Sequence, residues 1–377
     1  MTTEPIRVLV VDDTSLYRKL LSDVLHQIEG IEVVGTANNG TIALAKVAQF
    51  RPDVLTLDVE MPGMDGLETL RRLHDIAPQV GVIMVSAHTT HGAKVTMEAL
   101  DLGALDFITK PEGKNPAQNI ADLRRQLHPL LSTFRTRKQV KSLLRSPNGP
   151  VSRRPAAGTE GGSLLALPVE PAVPQRVPGA PASGRIEIVA IGISTGGPQA
   201  LAQLIPKLPG HLGVPIVVVQ HMPPMFTAAL AESLDRKSAL TVVEGQHEHI
   251  LAPNTVYIAP GGKQMKIVRQ GAQQHACLLI TDDPPENHCK PSVDYLFRSL
   301  AQGYGNRALG VIMTGMGADG TLGLRLMKRQ GATVLAQDEA SCVVFGMPME
   351  AIKAGVVDAV VPLNQLATAV CQRVSRR

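Results

Sequence analysis

The sequence predicts two α/β domains, each a doubly wound, mostly parallel sheet covered by helices. Short apolar runs rich in Val and Ile alternate with segments of helical periodicity in both halves of the chain. Several of these runs are followed by polar residues, as expected at the carboxyl edge of a parallel sheet. The length of 377 residues also exceeds that of one typical domain.

The composition is typical of ordinary folded domains. Hydrophobic residues make up 44% of the chain, aromatic residues 3%, and the net charge is +4, which together argue against nucleic-acid binding. The four cysteines show no paired spacing, so neither a zinc site nor a disulfide framework is predicted. Because no signal-peptide pattern or membrane-length apolar run is present, we expect a cytoplasmic protein with no direct membrane insertion.

The first predicted domain has polar side chains at the ends of four of its strands. These are Asp12 and Asp13, Asp58, Ser86 and Lys110. Three converging carboxylates would repel one another and therefore need a cation, and hard oxygen ligands suit Mg²⁺. Acidic residues are also common in turns, but five complementary groups at four strand ends favour a site. The five strands are predicted at 6–11, 31–36, 52–58, 81–86 and 105–109.

These residues resemble the receiver domain of two-component response regulators. The matching motifs are Val11-Asp12-Asp13, Asp58 with Met61-Pro62-Gly63-Met64-Asp65-Gly66, Ser86-Ala87 and Lys110-Pro111. The resemblance implies a flavodoxin-like fold in which Asp58 accepts a phosphoryl group from a chemotaxis histidine kinase. It also implies that Asp12, Asp13 and Asp58 bind Mg²⁺, that Lys110 pairs with the acyl phosphate, and that Ser86 moves to bond it.

A helix over 120–144 is predicted to lead into a linker. Seven basic residues and no acidic residue lie between Arg135 and Arg154. A nucleic-acid arm is one interpretation, but without aromatic residues nearby we favour a solvated helix end. Residues 146–184 are rich in Pro, Ala, Gly and Ser, which indicates a disordered or extended tether. We therefore expect domains at 1–140 and 185–377, joined by a linker at 141–184.

The second domain is predicted to be a parallel sheet with shorter, antiparallel strands in its middle. Its main strands are expected near 186–193, 214–220, 309–314 and 334–337, and 240–283 contains the shorter strands. Helices are expected near 198–208, 225–234, 292–301, 322–330 and 364–374. This alternation again places the ends of several strands at one edge of a sheet.

Three strands of this domain are followed by Ser194, His221 and Asp319. Gly192-Ile193-Ser194-Thr195-Gly196 matches the G-x-S-x-G nucleophile turn, although such a pattern alone equally indicates a tight turn with a serine cap. Ser, His and Asp together are the set that makes a hydroxyl nucleophilic. Their order differs from the Ser, Asp, His order of α/β-hydrolases, which argues against that fold. Either His221 or Asp319 could instead cap a helix, and the base could come from His247, His249 or His288.

The second domain resembles the catalytic domain of the chemotaxis protein-glutamate methylesterases. The matching motifs are Gly192 to Pro198, Gln220-His221-Met222-Pro223, Ala259-Pro260-Gly261-Gly262 and Thr314 to Gly320. The resemblance implies phosphorylation-activated hydrolysis of glutamate γ-methyl esters on chemoreceptors, with release of methanol, and deamidation of selected glutamines, giving sensory adaptation. Ser194 would be the nucleophile, His221 the general base and Asp319 its orienting partner, with no cofactor. Backbone N–H groups of Thr195 and Met316 would form the oxyanion hole.

Two alternative functions remain at this stage. The second domain could be a receiver-controlled serine esterase of small molecules, or a non-catalytic output domain that binds a partner. We further hypothesise that the unphosphorylated receiver covers the sheet edge that carries Ser194.

Overall fold

The computed structural model describes residues 4–111, 113, 115–145, 184–270 and 275–375. Residues 146–183 of the predicted tether lie outside the described residues. The chain forms one α/β unit before that segment, with a parallel sheet of five strands, and a second α/β unit after it, with a parallel sheet of seven strands. The predicted fold class is therefore confirmed.

The first unit is a five-stranded parallel sheet with the order β2-β1-β3-β4-β5. This is the flavodoxin-like order. Every residue of β3 and β4 is buried, which explains why these strands are continuous apolar runs in the sequence. The strands are β1 (Ile6–Val11), β2 (Ile31–Ala37), β3 (Val54–Asp58), β4 (Gly81–Ser86) and β5 (Asp106–Thr109). The helices are α1 (Ser15–His26), α2 (Gly40–Phe50), α3 (Gly66–Ile76), α4 (Thr90–Asp101) and α5 (Pro116–Arg145).

The second unit contains a seven-stranded parallel sheet with the order β14-β13-β12-β6-β7-β9-β8, and a separate antiparallel hairpin of β10 and β11. Its strands are β6 (Ile188–Ile193), β7 (Ile216–Gln220), β8 (Thr241–Glu244), β9 (Thr255–Ile258), β10 (Gln264–Gln270), β11 (His275–Thr281), β12 (Ala308–Ile312), β13 (Thr333–Gln337) and β14 (Ala359–Val361). Its helices are α6 (Gly197–Leu204), α7 (Phe226–Asp235), α8 (Val293–Gly303), α9 (Thr321–Arg329), α10 (Met347–Lys353) and α11 (Leu363–Val374).

The sequence analysis did not predict the short elements α10 and β14. Strand β14 has only three residues, all of them at least partly exposed, so it carries no continuous apolar run. The helix predicted to continue to residue 208 ends at Leu204 and passes into a 3₁₀ turn, Ile205–Lys207. Pro206 lies in that turn, and a proline has no N–H with which to extend an α-helix.

Strand β6 lies at the centre of the second sheet, between β12 and β7. Ile193 pairs with Gln220, and Gly192 pairs with Ile312, so the three strands end at nearly the same level. The residues that follow them therefore leave the sheet at one edge. This register is what gathers side chains from distant parts of the sequence.

The receiver-like unit packs against the second unit beside this edge. Helix α4 lies on α6 and α7, and apolar residues of all three helices join one buried cluster. The rings of Phe107 and Phe226 stack with their centroids 4.7 Å apart. Lys94 Nζ lies 3.0 Å from Glu232 Oε2, an exposed ion pair that contributes little to stability.

Among the residues that the structure describes, we find no helix with the length and apolar character needed to cross a membrane.

Candidate active site and receiver site

Ser194, His221 and Asp319 form a chain of hydrogen bonds at the edge of the second sheet. His221 Nδ1 lies 3.1 Å from Ser194 Oγ, and His221 Nε2 lies 2.8 Å from Asp319 Oδ2. The ring is thus turned relative to trypsin-like enzymes, in which Nε2 faces the serine. The chemistry is equivalent, because either nitrogen can accept a proton while the other donates to a carboxylate. Of the four histidines considered in the sequence analysis, His221 is the one with a described hydrogen bond to Ser194, although His288 also lines the cavity beside it.

Asp319 is held at the start of helix α8 and does not cap its own helix. Its Oδ2 accepts hydrogen bonds from His221 and from the backbone N–H of Val293, at 2.7 Å. Its Oδ1 accepts from Ser292 Oγ at 2.8 Å and from the backbone N–H of Asp294 at 3.0 Å. Free N–H groups at a helix N-terminus favour an anion. This cradle fixes the carboxylate that orients His221.

The protonation states of the pair follow from these contacts. Burial raises the pKa of Asp319, but the hydrogen bond and charge of His221 outweigh it and lower the pKa to about 2. Burial lowers the pKa of His221, but hydrogen bonds with Asp319 and Cys289 outweigh it and raise the pKa to about 9. The site therefore favours an imidazolium next to a carboxylate. That is the charge distribution that develops when His221 takes a proton from a hydroxyl.

The turn that carries Ser194 depends on small residues. Gly196 has a φ of +74°, and a Cβ there would lie 2.4 Å from the side chain of Val343. Only glycine adopts this conformation without strain in so tight a space. The turn is further tied to strand β7, because Gln220 Nε2 donates to the carbonyl of Ser194 at 3.0 Å. Gln220 thus positions the nucleophile turn, a role that the sequence analysis did not assign.

Thr195 and Met316 both line a cavity of about 430 Å³ above Ser194 and His221. The loop that carries Met316 packs directly on Ser194, since a Cβ added at Gly315 would lie 2.7 Å from Ser194 Cβ. The structure thus brings the two segments predicted to supply oxyanion donors next to the serine. The receiver-like unit closes the other side of the cavity with residues that include Asp106, Phe107 and Leu130.

Asp106 connects the two units at the serine turn. Its Oδ2 accepts a hydrogen bond from the backbone N–H of Gly196 at 2.7 Å, and its side chain is buried. Burial raises the pKa of this carboxyl to about 6, although the N–H groups of Gly196 and Phe107 act in the opposite direction. Asp106 is the first residue of β5 and faces a different unit, so strand periodicity alone gives no signal for this contact.

Other residues of the site were also missed in the sequence analysis. Cys289 Sγ lies 3.7 Å from His221 Nδ1, and Asn287 Nδ2 donates to Asp319 Oδ1 at 3.0 Å. Both lie in the loop between β11 and α8, where no periodic pattern exists. His247 and His249, considered above as candidate bases, lie elsewhere: His247 Nδ1 is 3.1 Å from the carbonyl of Ile280, and His249 packs on Tyr257.

The acidic residues predicted in the first unit also meet at a sheet edge. Ligand atoms of Asp12, Asp13 and Asp58 all lie within 4.8 Å of one another, and Lys110 Nζ lies 2.7 Å from Asp58 Oδ2 and 2.9 Å from Asp12 Oδ2. Burial raises the pKa of Asp58 to about 6 against the effect of Lys110, and the charge of Asp12 raises it further. Two buried carboxylates and the exposed one of Asp13, with this excess of negative charge, fit a hard divalent cation such as Mg²⁺. Ser86 Oγ is directed to the carbonyl of Ala87 at 3.3 Å.

The second unit is a parallel α/β sheet that carries a serine–histidine–aspartate chain. It is joined to a flavodoxin-like unit with an acidic cluster at its strand ends. This is the architecture of a hydrolase with an attached receiver. Comparison with known families agrees. Residues 189–370 match the CheB methylesterase family, and residues 8–121 match the response regulator receiver domain.

Full-length relatives share both units. A protein-glutamate methylesterase/protein-glutamine glutaminase of Desulfotalea psychrophila is 49% identical over 362 residues, 96% of each chain. One of Bacillus subtilis is 42% identical over 376 residues, 98% of this chain and 99% of the relative. Among solved structures, the Thermotoga maritima CheB methylesterase catalytic domain is 41% identical and covers 50% of this chain and 98% of its own, with a TM-score of 0.48.

The chain belongs to the CheB methylesterase family, and its enzyme class is that of a receiver-regulated protein-glutamate methylesterase and protein-glutamine glutaminase. The receiver domain implies a kinase as phosphodonor, and the methylesterase domain implies a chemoreceptor as substrate.

Proposed function

We propose that Ser194, His221 and Asp319 hydrolyse γ-methyl esters of glutamate on the cytoplasmic helices of chemoreceptors and deamidate selected glutamines there. The observation that carries this proposal is the hydrogen-bonded chain from Ser194 Oγ through the His221 ring to Asp319. It lies at the edge of the sheet, in a cavity large enough for one extended side chain. A non-catalytic output domain would leave all three side chains unused.

In the first half of the reaction, Ser194 Oγ attacks the side-chain carbonyl carbon, and His221 Nδ1 accepts the serine proton. His221 then gives that proton to the departing methoxide, so methanol leaves and an acyl-enzyme remains. For a glutamine substrate, ammonia is the leaving group. In the second half, His221 accepts a proton from the water that attacks the acyl-enzyme, and it returns that proton to Ser194 Oγ as the ester bond to the serine breaks and glutamate is released. Asp319 stays ionised throughout and orients the ring.

We assign the oxyanion hole to the backbone N–H groups of Thr195 and Met316. The support is that both residues line the cavity and that the loop of Met316 packs on Ser194. Removing one such donor typically costs about 3–4 kcal/mol of transition-state stabilisation.

The receiver controls access to this site. We propose that Asp58 accepts the phosphoryl group from a chemotaxis histidine kinase. Asp12, Asp13 and Asp58 would hold Mg²⁺, which would supply neutralisation of the phosphoryl charge. Lys110 then pairs with the acyl phosphate, and Ser86 turns from Ala87 to bond it. In the unphosphorylated form Asp106 and Phe107 close the cavity against Gly196 and Phe226.

The test is methanol release from a methylated chemoreceptor by the full-length enzyme and by Ser194→Ala. Release by the wild type, its increase on phosphorylation and its loss in Ser194→Ala support the proposal. Turnover of a small ester without any release from the receptor would instead indicate an esterase of small molecules. No turnover of either substrate would indicate a non-catalytic output domain.

A further inference from the structure

A second nucleophilic group lies at the base of the active site. Cys289 Sγ is 3.7 Å from His221 Nδ1, the same nitrogen that lies 3.1 Å from Ser194 Oγ. The proposed ester hydrolysis needs only the serine, so the thiol is not explained by the chemistry. Cys289 is only partly buried and lines the cavity together with His221 and Ser194.

We propose that Cys289 and His221 form a binding site for a soft divalent cation such as Zn²⁺, and that a cation bound there reversibly inhibits hydrolysis. The inhibitory part of this proposal rests on the proposed roles of Ser194 and His221. The first support is the distance between the donor atoms. In a tetrahedral site with a Zn–S bond of about 2.3 Å and a Zn–N bond of about 2.0 Å, the sulfur and nitrogen are about 3.5 Å apart. The observed 3.7 Å needs little adjustment.

The second support is the partner of the other ring nitrogen. Histidines that bind metals usually donate their remaining N–H to a carboxylate, which fixes the ring and increases its basicity. His221 Nε2 lies 2.8 Å from Asp319 Oδ2, and Asp319 is itself held by the backbone N–H groups of Val293 and Asp294. Nδ1 is therefore directed into the cavity as a preoriented ligand.

The third support is room for the remaining ligands. Ser194 Oγ, at 3.1 Å from Nδ1, can complete the shell together with water from the cavity of about 430 Å³. A thiolate and an imidazole select a soft or borderline cation such as Zn²⁺ over Mg²⁺. The carboxylates of Asp12, Asp13 and Asp58 have the opposite preference.

Inhibition follows from the ligand atoms themselves. A cation on His221 Nδ1 occupies the lone pair that must accept the Ser194 proton, so the serine is not activated. Removal of the cation restores the free triad without any covalent change.

The experiment measures ester hydrolysis by the full-length protein against buffered free Zn²⁺, with millimolar Mg²⁺ present to occupy the receiver site. We expect Zn²⁺ to inhibit the wild type and the control variant Cys371→Ser at the same concentration, and chelation to restore the rate. Cys371 is a second partly buried cysteine, on helix α11. Cys289→Ser, compared with its own zinc-free rate, should require at least about tenfold more Zn²⁺. Inhibition of Cys289→Ser at the same Zn²⁺ concentration that inhibits the wild type would overturn the proposal.

A spectroscopic measurement tests the site independently of activity. Co²⁺ added to the wild type should give a thiolate-to-cobalt charge-transfer band, which Cys289→Ser lacks and Cys371→Ser retains. Absence of that band in the wild type would overturn the proposal, even if Cys289→Ser failed to fold. Because this readout needs no turnover, a protein that binds Co²⁺ through Cys289 but hydrolyses no receptor ester would refute the proposed function and leave the metal site supported.

Discussion

The carboxylate of Asp106 accepts a hydrogen bond from the backbone N–H of Gly196 at 2.7 Å, only two residues along the chain from Ser194. The product of ester hydrolysis is also a carboxylate, formed at the same turn. The receiver thus places a group of the product's chemical type at the start of helix α6. The closed form is held by a polar contact within the active site as well as by the stacking of Phe107 on Phe226.

Removal of the Asp106 side chain should activate the unphosphorylated enzyme. In Asp106→Ala the N–H of Gly196 loses its acceptor, which costs the closed form about 1 kcal/mol. We expect basal ester hydrolysis to rise roughly fivefold, the factor that corresponds to this energy. The measurement is the initial rate of methanol release in the absence of a phosphodonor.

Two further variants isolate the cause of that activation. Asp106→Asn keeps an oxygen that accepts the Gly196 N–H without burying a charge, so its basal rate should stay at or below that of the wild type. Asp23→Asn removes an exposed carboxylate on helix α1 and should change nothing. Equal activation by Asp106→Ala and Asp106→Asn would show that the hydrogen bond is not what holds the receiver closed.

The closed form, in which the receiver covers the cavity at Ser194, should become less stable as the pH rises through about 6. Burial raises the pKa of Asp106 to about 6 from its ordinary 3.8, so the closed form binds a proton more tightly than an open form with an exposed carboxyl. The stabilisation of the closed form by the Asp106 proton is complete at a pH below the ordinary pKa of the carboxyl. It is lost as the pH rises through about 6. Fluorescence energy transfer between dyes on the two units should report more opening at pH 7 than at pH 5. In Asp106→Asn this difference should disappear.

Ser194→Ala and Asp319→Asn should differ in stability although both lose activity. Ser194→Ala removes the nucleophile, so we expect no hydrolysis. It leaves every hydrogen bond that holds Asp319 in place, so we expect an unchanged melting temperature. Asp319→Asn lowers kcat by about 10⁴ through loss of ring orientation. It also removes an anion from the start of helix α8, which should cost about 1–2 kcal/mol and lower the melting temperature. Thermal unfolding that is the same for both variants would contradict the role of the cradle.

Hydrolysis should increase with pH up to about 9. The base must be neutral, and the hydrogen bonds with Asp319 and Cys289 outweigh burial and raise the pKa of His221 to about 9. Activity is therefore low below that pKa and rises through it. Cys289→Ser removes one of the two contacts that raise the pKa, so the rising limb should move to lower pH. A pH–rate profile of kcat in Cys289→Ser that superimposes on the wild type would refute this influence of the thiol.

Mg²⁺ binding at the receiver should weaken below about pH 6. Burial raises the pKa of Asp58 to about 6, and the cation binds only the ionised carboxylate. We expect the affinity, measured by titration calorimetry, to fall by up to about tenfold for each pH unit below this value. Asp58→Asn should bind more weakly and lose this pH dependence. Chelation of Mg²⁺ should abolish activation by a phosphodonor and leave the basal hydrolysis of Asp106→Ala intact.

The fold and the convergence of three distant residues could be predicted because both follow from strand order. Continuous apolar runs indicated buried parallel strands, and β6, β7 and β12 are neighbours that end at one level. Ser194 and His221 follow β6 and β7 directly and therefore had to approach one another, whereas Asp319 comes seven residues after the end of β12 and reaches His221 through a glycine-rich turn. The sequence could not give the rotation of the His221 ring, since that depends on side-chain packing.

Other parts of the site depend on loops and on the contact between units. Cys289 and Asn287 reach the triad through an irregular loop whose path has no periodic signature. Asp106 reaches Gly196 only because α4 docks on α6 and α7, and neither sequence segment encodes that docking by itself. The oxyanion role of Met316 came from the resemblance to the methylesterases and stays a prediction.

Strand β5 joins the two sites of the protein. Asp106 begins it and Lys110 follows its end, about 13 Å away along the extended chain. If a phosphoryl group on Asp58 favours opening by a given factor, thermodynamic reciprocity requires that opening favour the phosphorylated receiver by the same factor. A methylated receptor that engages Ser194 only in the open form is thus an effector of the receiver. At equilibrium, substrate binding and phosphorylation would each favour the other by that factor.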